Sequence, residues 1–104
     1  IKKINIVELL NQAIGEFEDK FEAKKLEILL EAKESEIYIL ADSRYMYRIL
    51  ENMYSNISKY AMDNTRVYID VIPNNNRITI QMKNISKQEV GRQIIEENYT
   101  FILV

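Results

Sequence analysis

Between Asp42 and Lys83 the hydrophobic period of the chain changes once, from a helical repeat to strand alternation, and this change constrains the fold more than any other feature. Met46, Ile49, Leu50, Met53, Ile57 and then Tyr60 or Ala61 recur at spacings of three and four. That spacing predicts a helix with one apolar stripe, capped by Asp42 or Ser43 and running to about Met62. Thr65, Val67, Ile69 and Val71 then alternate with Arg66, Tyr68 and Asp70, and Ile78, Ile80 and Met82 alternate with Thr79, Gln81 and Lys83. With Pro73-Asn74-Asn75-Asn76 as a turn, this reads as a hairpin. A helix and a hairpin that each have one apolar face must cover one another.

The flanks extend this pattern. Val7, Leu10, Ile14, Phe17 and Phe21 predict an earlier helix from Ile6 to about Lys25. Leu26 to Leu30 and Glu36 to Leu40 are apolar runs of strand length, read as a hairpin or as two neighbouring strands. Ser86 to Glu97 is polar and weakly patterned, and Tyr99 to Val104 reads as a closing strand. The order is helix, two strands, helix, two strands. It predicts an α/β (α+β) two-layer sandwich over residues 1–104, with a mixed β-sheet and helices packed on one face. A chain of 104 residues supports one core and not two.

Composition excludes several functions. A net charge of −2 argues against a nucleic-acid partner, whose binding rests on neutralised phosphates. The chain has no cysteine and no histidine, which removes thiolate sites, the commonest zinc ligand and any phospho-accepting imidazole. No apolar run reaches the roughly 20 residues of a membrane span, so no membrane contact is expected of this domain.

The second helix carries a polar ladder beside its apolar stripe. At about 100° per residue, Arg48, Asn52, Asn56 and Lys59 gather on one side. Such residues are compatible with a solvated face. They also suit an Mg²⁺–phosphate site, because amide oxygens ligate hard cations and a lysine meets phosphate as a point charge.

The run from Asp42 to Tyr60, ending Asn52-Met-Tyr-Ser-Asn56-Ile-Ser-Lys59-Tyr60, resembles the N-box region of sensor histidine kinases, whose pattern is Asn-x-x-x-Asn-x-x-Lys-Tyr. The resemblance covers about a fifth of the chain, and the earlier elements arrive in the family's order. It implies the histidine-kinase ATPase (Bergerat-type) fold and an ATP site. Asn56 would be the Mg²⁺ ligand, Asn52 would lie beside the phosphates, Lys59 would contact them, and Tyr60 would flank the nucleotide. Related ATPases that hydrolyse their own ATP carry glutamate at the Asn52 position, and a carboxamide cannot serve as a general base. Transfer of the phosphoryl group to a protein is therefore implied.

Elsewhere the pattern departs from the family. An Asp-x-Gly-x-Gly box is expected after Ile78–Lys83, but the chain reads Lys83-Asn84-Ile85-Ser86-Lys87, which leaves Asn84 to meet adenine through its amide. The nucleotide lid and the later glycine-rich box are absent, and Gly91 to Val104 resembles only the closing hairpin. Either the lid is deleted or residues are excised near Val90–Gly91, and a start at Ile1 without methionine fits the excision. The implied function is that of a partial ATP-binding domain, inactive by itself. It would use ATP and Mg²⁺ to phosphorylate a histidine on a separate dimerisation domain of the same kinase, with a response regulator downstream. The domain would be cytoplasmic in a membrane-anchored parent. The alternatives are a degenerate domain of the same fold that no longer binds nucleotide and serves as an interaction module, or an anti-sigma or serine-kinase relative.

Overall fold

A computed structural model describes residues 1–88 and 91–102. The elements are β1 (Lys2–Asn5), α1 (Ile6–Glu16), α2 (Glu18–Ala23), β2 (Glu27–Ala32), β3 (Tyr38–Ala41), α3 (Ser43–Tyr60), β4 (Arg66–Asn74), β5 (Arg77–Gln88) and β6 (Gly91–Ile102). One sheet has the order β2-β4-β5-β6, and β1 and β3 form a separate two-stranded sheet. The larger sheet is mixed: β2 runs parallel to β4, while β4–β5 and β5–β6 are antiparallel. The two-layer arrangement expected from the sequence is present, with the helices on one face.

Helix α3 is the centre of the core. Asp42 caps it, accepting hydrogen bonds from Arg44 N at 2.9 Å and Tyr45 N at 3.4 Å. These two donors hold the Asp42 carboxyl below its usual range. Met46, Leu50, Met53, Tyr54 and Ile57 are buried along one side of the helix. They pack in one core with Val67, Ile69 and Val71 of β4 and Ile78, Ile80 and Met82 of β5. Tyr54, absent from the expected stripe, is fully buried and donates its hydroxyl to the Leu10 carbonyl at 3.2 Å. Burial pushes its phenol pKa upward, so it remains a donor at every ordinary pH.

The first helix is broken where one continuous helix was expected. At Phe17 the backbone leaves helical geometry, one residue after Gly15-Glu16, and its N–H is shared between the Ala13 and Ile14 carbonyls at 3.2 Å. Glycine next to such a break lowers the cost of bending. The bend lets Phe17 and Phe21 both reach Tyr54, with all three ring centroids 5.9 Å apart and the two phenylalanines edge-on to the tyrosine. Helix α2 ends with Lys25 at φ 54, where Leu26 N bonds the Phe21 carbonyl at 2.9 Å and Lys25 N bonds the Glu22 carbonyl at 2.9 Å. That is a Schellman closure built without glycine.

The expected pairing of the two early apolar runs is incorrect. β2 pairs with β4, and β3 pairs with β1, a strand the sequence did not signal. A tight connection would let the runs form a hairpin, but backbone bonds commit them elsewhere. Glu27 N donates to the Thr65 carbonyl at 3.1 Å and Asn64 N to the Lys24 carbonyl at 3.0 Å, which sets β2 beside β4. Asn5 Oδ1 accepts from both Glu8 N and Ile37 N, so one side chain caps α1 and anchors the start of β3. The late hairpin holds as read, with the turn tightened to Asn75-Asn76 and Asn75 at φ 57. The closing strand is longer than expected, since β6 begins at Gly91 and pairs with β5 from Gln88–Gly91 through Arg77–Ile102. Leu103 and Val104 lie outside the described residues.

Two substitutions test this core. Ile57 is 1% exposed, so Ile57→Ala should lower unfolding free energy by about 2–4 kcal/mol. Tyr54→Phe should cost about 1 kcal/mol for the lost buried hydrogen bond. Urea titration of both variants against the parent measures this, and a loss under about 0.5 kcal/mol for Ile57→Ala would mean that α3 packs by another face.

Candidate functional site

The rotation of α3 decides which polar residues meet the sheet. On one flank of the apolar stripe lie Tyr54, facing α1, and Tyr47, whose hydroxyl donates to Glu16. On the other flank, Asn56 and Tyr60 look over β5 and β6. There a cleft of about 430 Å³ is lined by Asn56, Ile57, Tyr60, Met82, Asn84, Ser86, Ile95 and Glu97. Three residues singled out from the sequence, Asn56, Tyr60 and Asn84, therefore share one cleft.

The other two do not line it. At about 100° per residue, Asn52 and Lys59 sit roughly 40° and 60° further round the helix than Asn56. Asn52 is exposed. Lys59 borders a neighbouring recess with Lys24, Tyr60, Ala61, Met62, Asp63 and Asn64. Lys24 Nζ donates to the Lys59 carbonyl at 3.3 Å, placing a cation at the C-terminus of α3, where the helix dipole favours it. Tyr60 lines both the cleft and the recess and is 63% exposed.

The floor of the cleft is a continuation of the β5 core register. Ile78, Ile80 and Met82 point into the core, and the next two residues in phase are Asn84 and Ser86, the buried polar residues among those described. Ser86 Oγ donates to the Tyr60 carbonyl at 3.0 Å, and Met62 N donates to the Ile85 carbonyl at 2.7 Å, tying the end of α3 to this part of β5. Asn84 is 5% exposed, and its carboxamide makes no hydrogen bond among the described residues. Its polar atoms are not sealed off, so the cleft is where they find a partner. There they are open to water, which a ligand with matching donors and acceptors would displace.

Reading the sequence did not mark Ser86 or Glu97. The signal was present, because both continue a period-two register of apolar residues, Ile78-Ile80-Met82 in one case and Ile95, Tyr99 and Phe101 in the other. Glu97 is half-buried, lines the cleft and accepts the Tyr99 hydroxyl at 3.0 Å. Burial, then this bond to the carboxylate, raises the Tyr99 pKa and keeps it a donor. Among the described residues, no cluster of three or more acidic, histidine or cysteine side chains could cage a metal ion. Asn56 offers a single exposed amide oxygen, which suits Mg²⁺ arriving with phosphates, since that ion is usually held by one or two protein ligands and keeps several waters.

No protein-family model matches the chain, and neither does any curated protein. Solved structures do. The catalytic domain of the histidine kinase ThkA aligns with a TM-score of 0.77 at 18% identity, over 82% of this chain and 58% of that one. The fold is that of a histidine-kinase catalytic domain. The Acinetobacter baumannii histidine kinase AdeS aligns with a TM-score of 0.72 at 15% identity, covering 84% of this chain and 43% of AdeS. Full-length ShkA, solved in complex with AMPPNP, aligns at 0.70 and 21% identity over 82% of this chain and 18% of its own. The chain thus spans little more than half of the ThkA domain.

The isolation of Asn84 makes a prediction about charge. Asn84→Asp would place a carboxylate where no donor meets it, so burial would raise its folded pKa above the unfolded value near 4. A raised carboxyl pKa means that the folded state binds the extra proton, so the variant loses stability as pH rises through that window. The gap in melting temperature between Asn84→Asp and the parent should widen from about pH 4 to pH 7. A gap that stays constant over that range would show the side chain to be solvated.

Proposed function

We propose that this chain is the ATP-binding domain of a two-component sensor histidine kinase, or most of one, binding Mg-ATP for phosphoryl transfer to a histidine on a separate dimerisation domain. One observation carries the reading beyond fold. In this fold, the unpartnered amide of Asn84 opens into the same cleft as Asn56 and Tyr60, residues that the N-box resemblance links to nucleotide. The chain contains no histidine, so the phospho-acceptor belongs to another domain. A response regulator would act downstream, as the solved complex of ThkA with its regulator TrrA illustrates for that kinase. Among the described residues no helix is long and apolar enough to cross a membrane, and the proposal places the domain on the cytoplasmic side of an anchored parent.

In this proposal each residue has a separate task. Asn84 reads the base through its amide, and Tyr60 flanks the nucleotide with its ring. Asn56 would hold Mg²⁺, which when bound neutralises charge on the phosphates. Lys59 and Asn52, further round α3, would face the distal phosphates as a point charge and a neutral donor. Asn52 cannot deprotonate a water, which favours transfer to a protein over hydrolysis.

A second reading is the degenerate domain. It is favoured by the short link from β5 to β6: only Glu89 and Val90 separate Gln88 from Gly91, where the family resemblance places a lid. Those two residues, at the expected deletion or excision, lie outside the described residues. Calorimetry with an ATP analogue and Mg²⁺ separates the readings. Weak but measurable binding is expected of the ATP-binding domain. No heat at millimolar ligand would favour the degenerate module, and sub-micromolar affinity would show that the lid and glycine boxes are dispensable.

In the complete kinase, Asn56→Ala should abolish or severely reduce autophosphorylation while leaving stability nearly unchanged, because the side chain is exposed and leaves no cavity. Lys59→Ala should be milder, since water and Mg²⁺ partly replace a point charge. Phosphorylation assays with matched melting curves read both effects. Activity of Asn56→Ala within about twofold of the parent, under roughly 0.5 kcal/mol in barrier, would remove Asn56 from the site.

A further inference from the structure

The cleft holds two polar groups of different kinds, and their placement extends the nucleotide reading on which this inference rests. Asn84 offers both a donor and an acceptor, and a carboxamide can turn its two ends about. By itself it accepts from the 6-amino group of adenine as readily as it donates to a 6-oxo group. A base pocket floored by Asn84 alone would distinguish the two purines poorly. Where the resemblance expects a carboxylate, this sequence has removed the one group that would fix the choice.

A carboxylate nevertheless lines the cleft, from the next strand. In the β5–β6 register Met82 pairs with Glu97 and Asn84 with Ile95, so Glu97 is the diagonal neighbour of Asn84 on the same sheet face. Diagonal neighbours lie about 7–8 Å apart at Cα, within reach of two points on one purine edge. The Tyr99 hydroxyl donates to Glu97 Oε2 at 3.0 Å, which orients the carboxylate, and no cation pairs with it among the described residues. An ionised carboxylate only accepts. The charge layout agrees, since Lys24 and Lys59 border the recess beyond Tyr60, partly offset by Asp63. A polyphosphate is drawn to that side, which leaves the base beside Glu97.

We propose that Glu97 sets the purine selectivity of this cleft, accepting a hydrogen bond from the 6-amino group of adenine on its N7 side, where a 6-oxo base presents only acceptors, with Tyr99 as its positioning residue. The test is titration of the 104-residue chain with Mg-ATP and with Mg-ITP, which carries a carbonyl in place of the amino group. ATP should bind at least about tenfold tighter, the discrimination that one charge-assisted hydrogen bond supplies. The near-isosteric Glu97→Gln should bring the two affinities within about threefold, mainly by strengthening ITP. Tyr99→Phe should give an intermediate ratio, and Asn84→Ala should weaken both nucleotides alike. A parent without preference, or a Glu97→Gln ratio equal to the parent's, overturns the role of Glu97 and leaves the nucleotide reading intact. Binding of neither nucleotide at millimolar concentration overturns that reading, and the role of Glu97 with it.

Discussion

The structure depends on one seam, the apolar stripe of α3 laid across β4 and β5. Met46, Leu50, Met53, Tyr54 and Ile57 are each no more than 1% exposed, and each large side chain contributes about 1.5–3 kcal/mol on leaving water. Such a stripe has a direction. Turning α3 by even one residue position, about 100°, would bring the exposed polar face of the helix against Ile69 and Ile80. The seam therefore fixes where every other residue of the helix points. Tyr54 meets Leu10 on one flank, and Asn56 and Tyr60 overlook the β5–β6 face on the other. The cleft is a consequence of core packing before it is anything else.

The same seam explains which parts of the fold could be read from the residues alone. α3, β4 and β5 have strong, one-sided periods, and the start of α3 and the turn between the strands fell close to the observed ones because Asp42 and Asn75 mark them locally. β5, however, continues to Gln88, past the last apolar residue of its alternation. The early strands failed for a different reason. Leu26–Leu30 and Glu36–Leu40 are apolar on their own account, but nothing in them encodes a partner, and parallel pairing of β2 with β4 is decided by backbone bonds from Glu27 and Asn64 to residues some forty positions away. Strand β1 has four residues and no alternation, so it exists through its neighbour β3 and the shared cap at Asn5. Long-range pairing is where local pattern stops being informative.

The candidate cleft was legible only in part. The N-box resemblance drew attention to the polar ladder of α3, and Asn56 and Tyr60 lie on the cleft. Treating Asn52, Asn56 and Lys59 as one face overlooked their angular spread, so the ladder divides between the cleft and its surroundings. Ser86 and Glu97 were missed because the strands were ended where their apolar residues ended. A polar residue that keeps the inward phase of a strand carries more information than the apolar residues before it, since it occupies a core position at a cost.

That cost bears on why Asn84 is there at all. A leucine or valine in its place would complete the β5 stripe and add apolar burial to the core. Serine two residues on shows what a purely structural polar residue does here, because its hydroxyl is bonded to the Tyr60 carbonyl and binds α3 to β5. Asn84 makes no such bond among the described residues, yet it faces space large enough for a planar base and is flanked by Tyr60 and Glu97. An amide held at the opening of a cleft keeps its donors and acceptors free for water or for a ligand. The core supplies the stability that lets β5 carry a polar group in place of an apolar one, and that group gives the cleft a hydrogen-bonding edge that a merely apolar lining would lack.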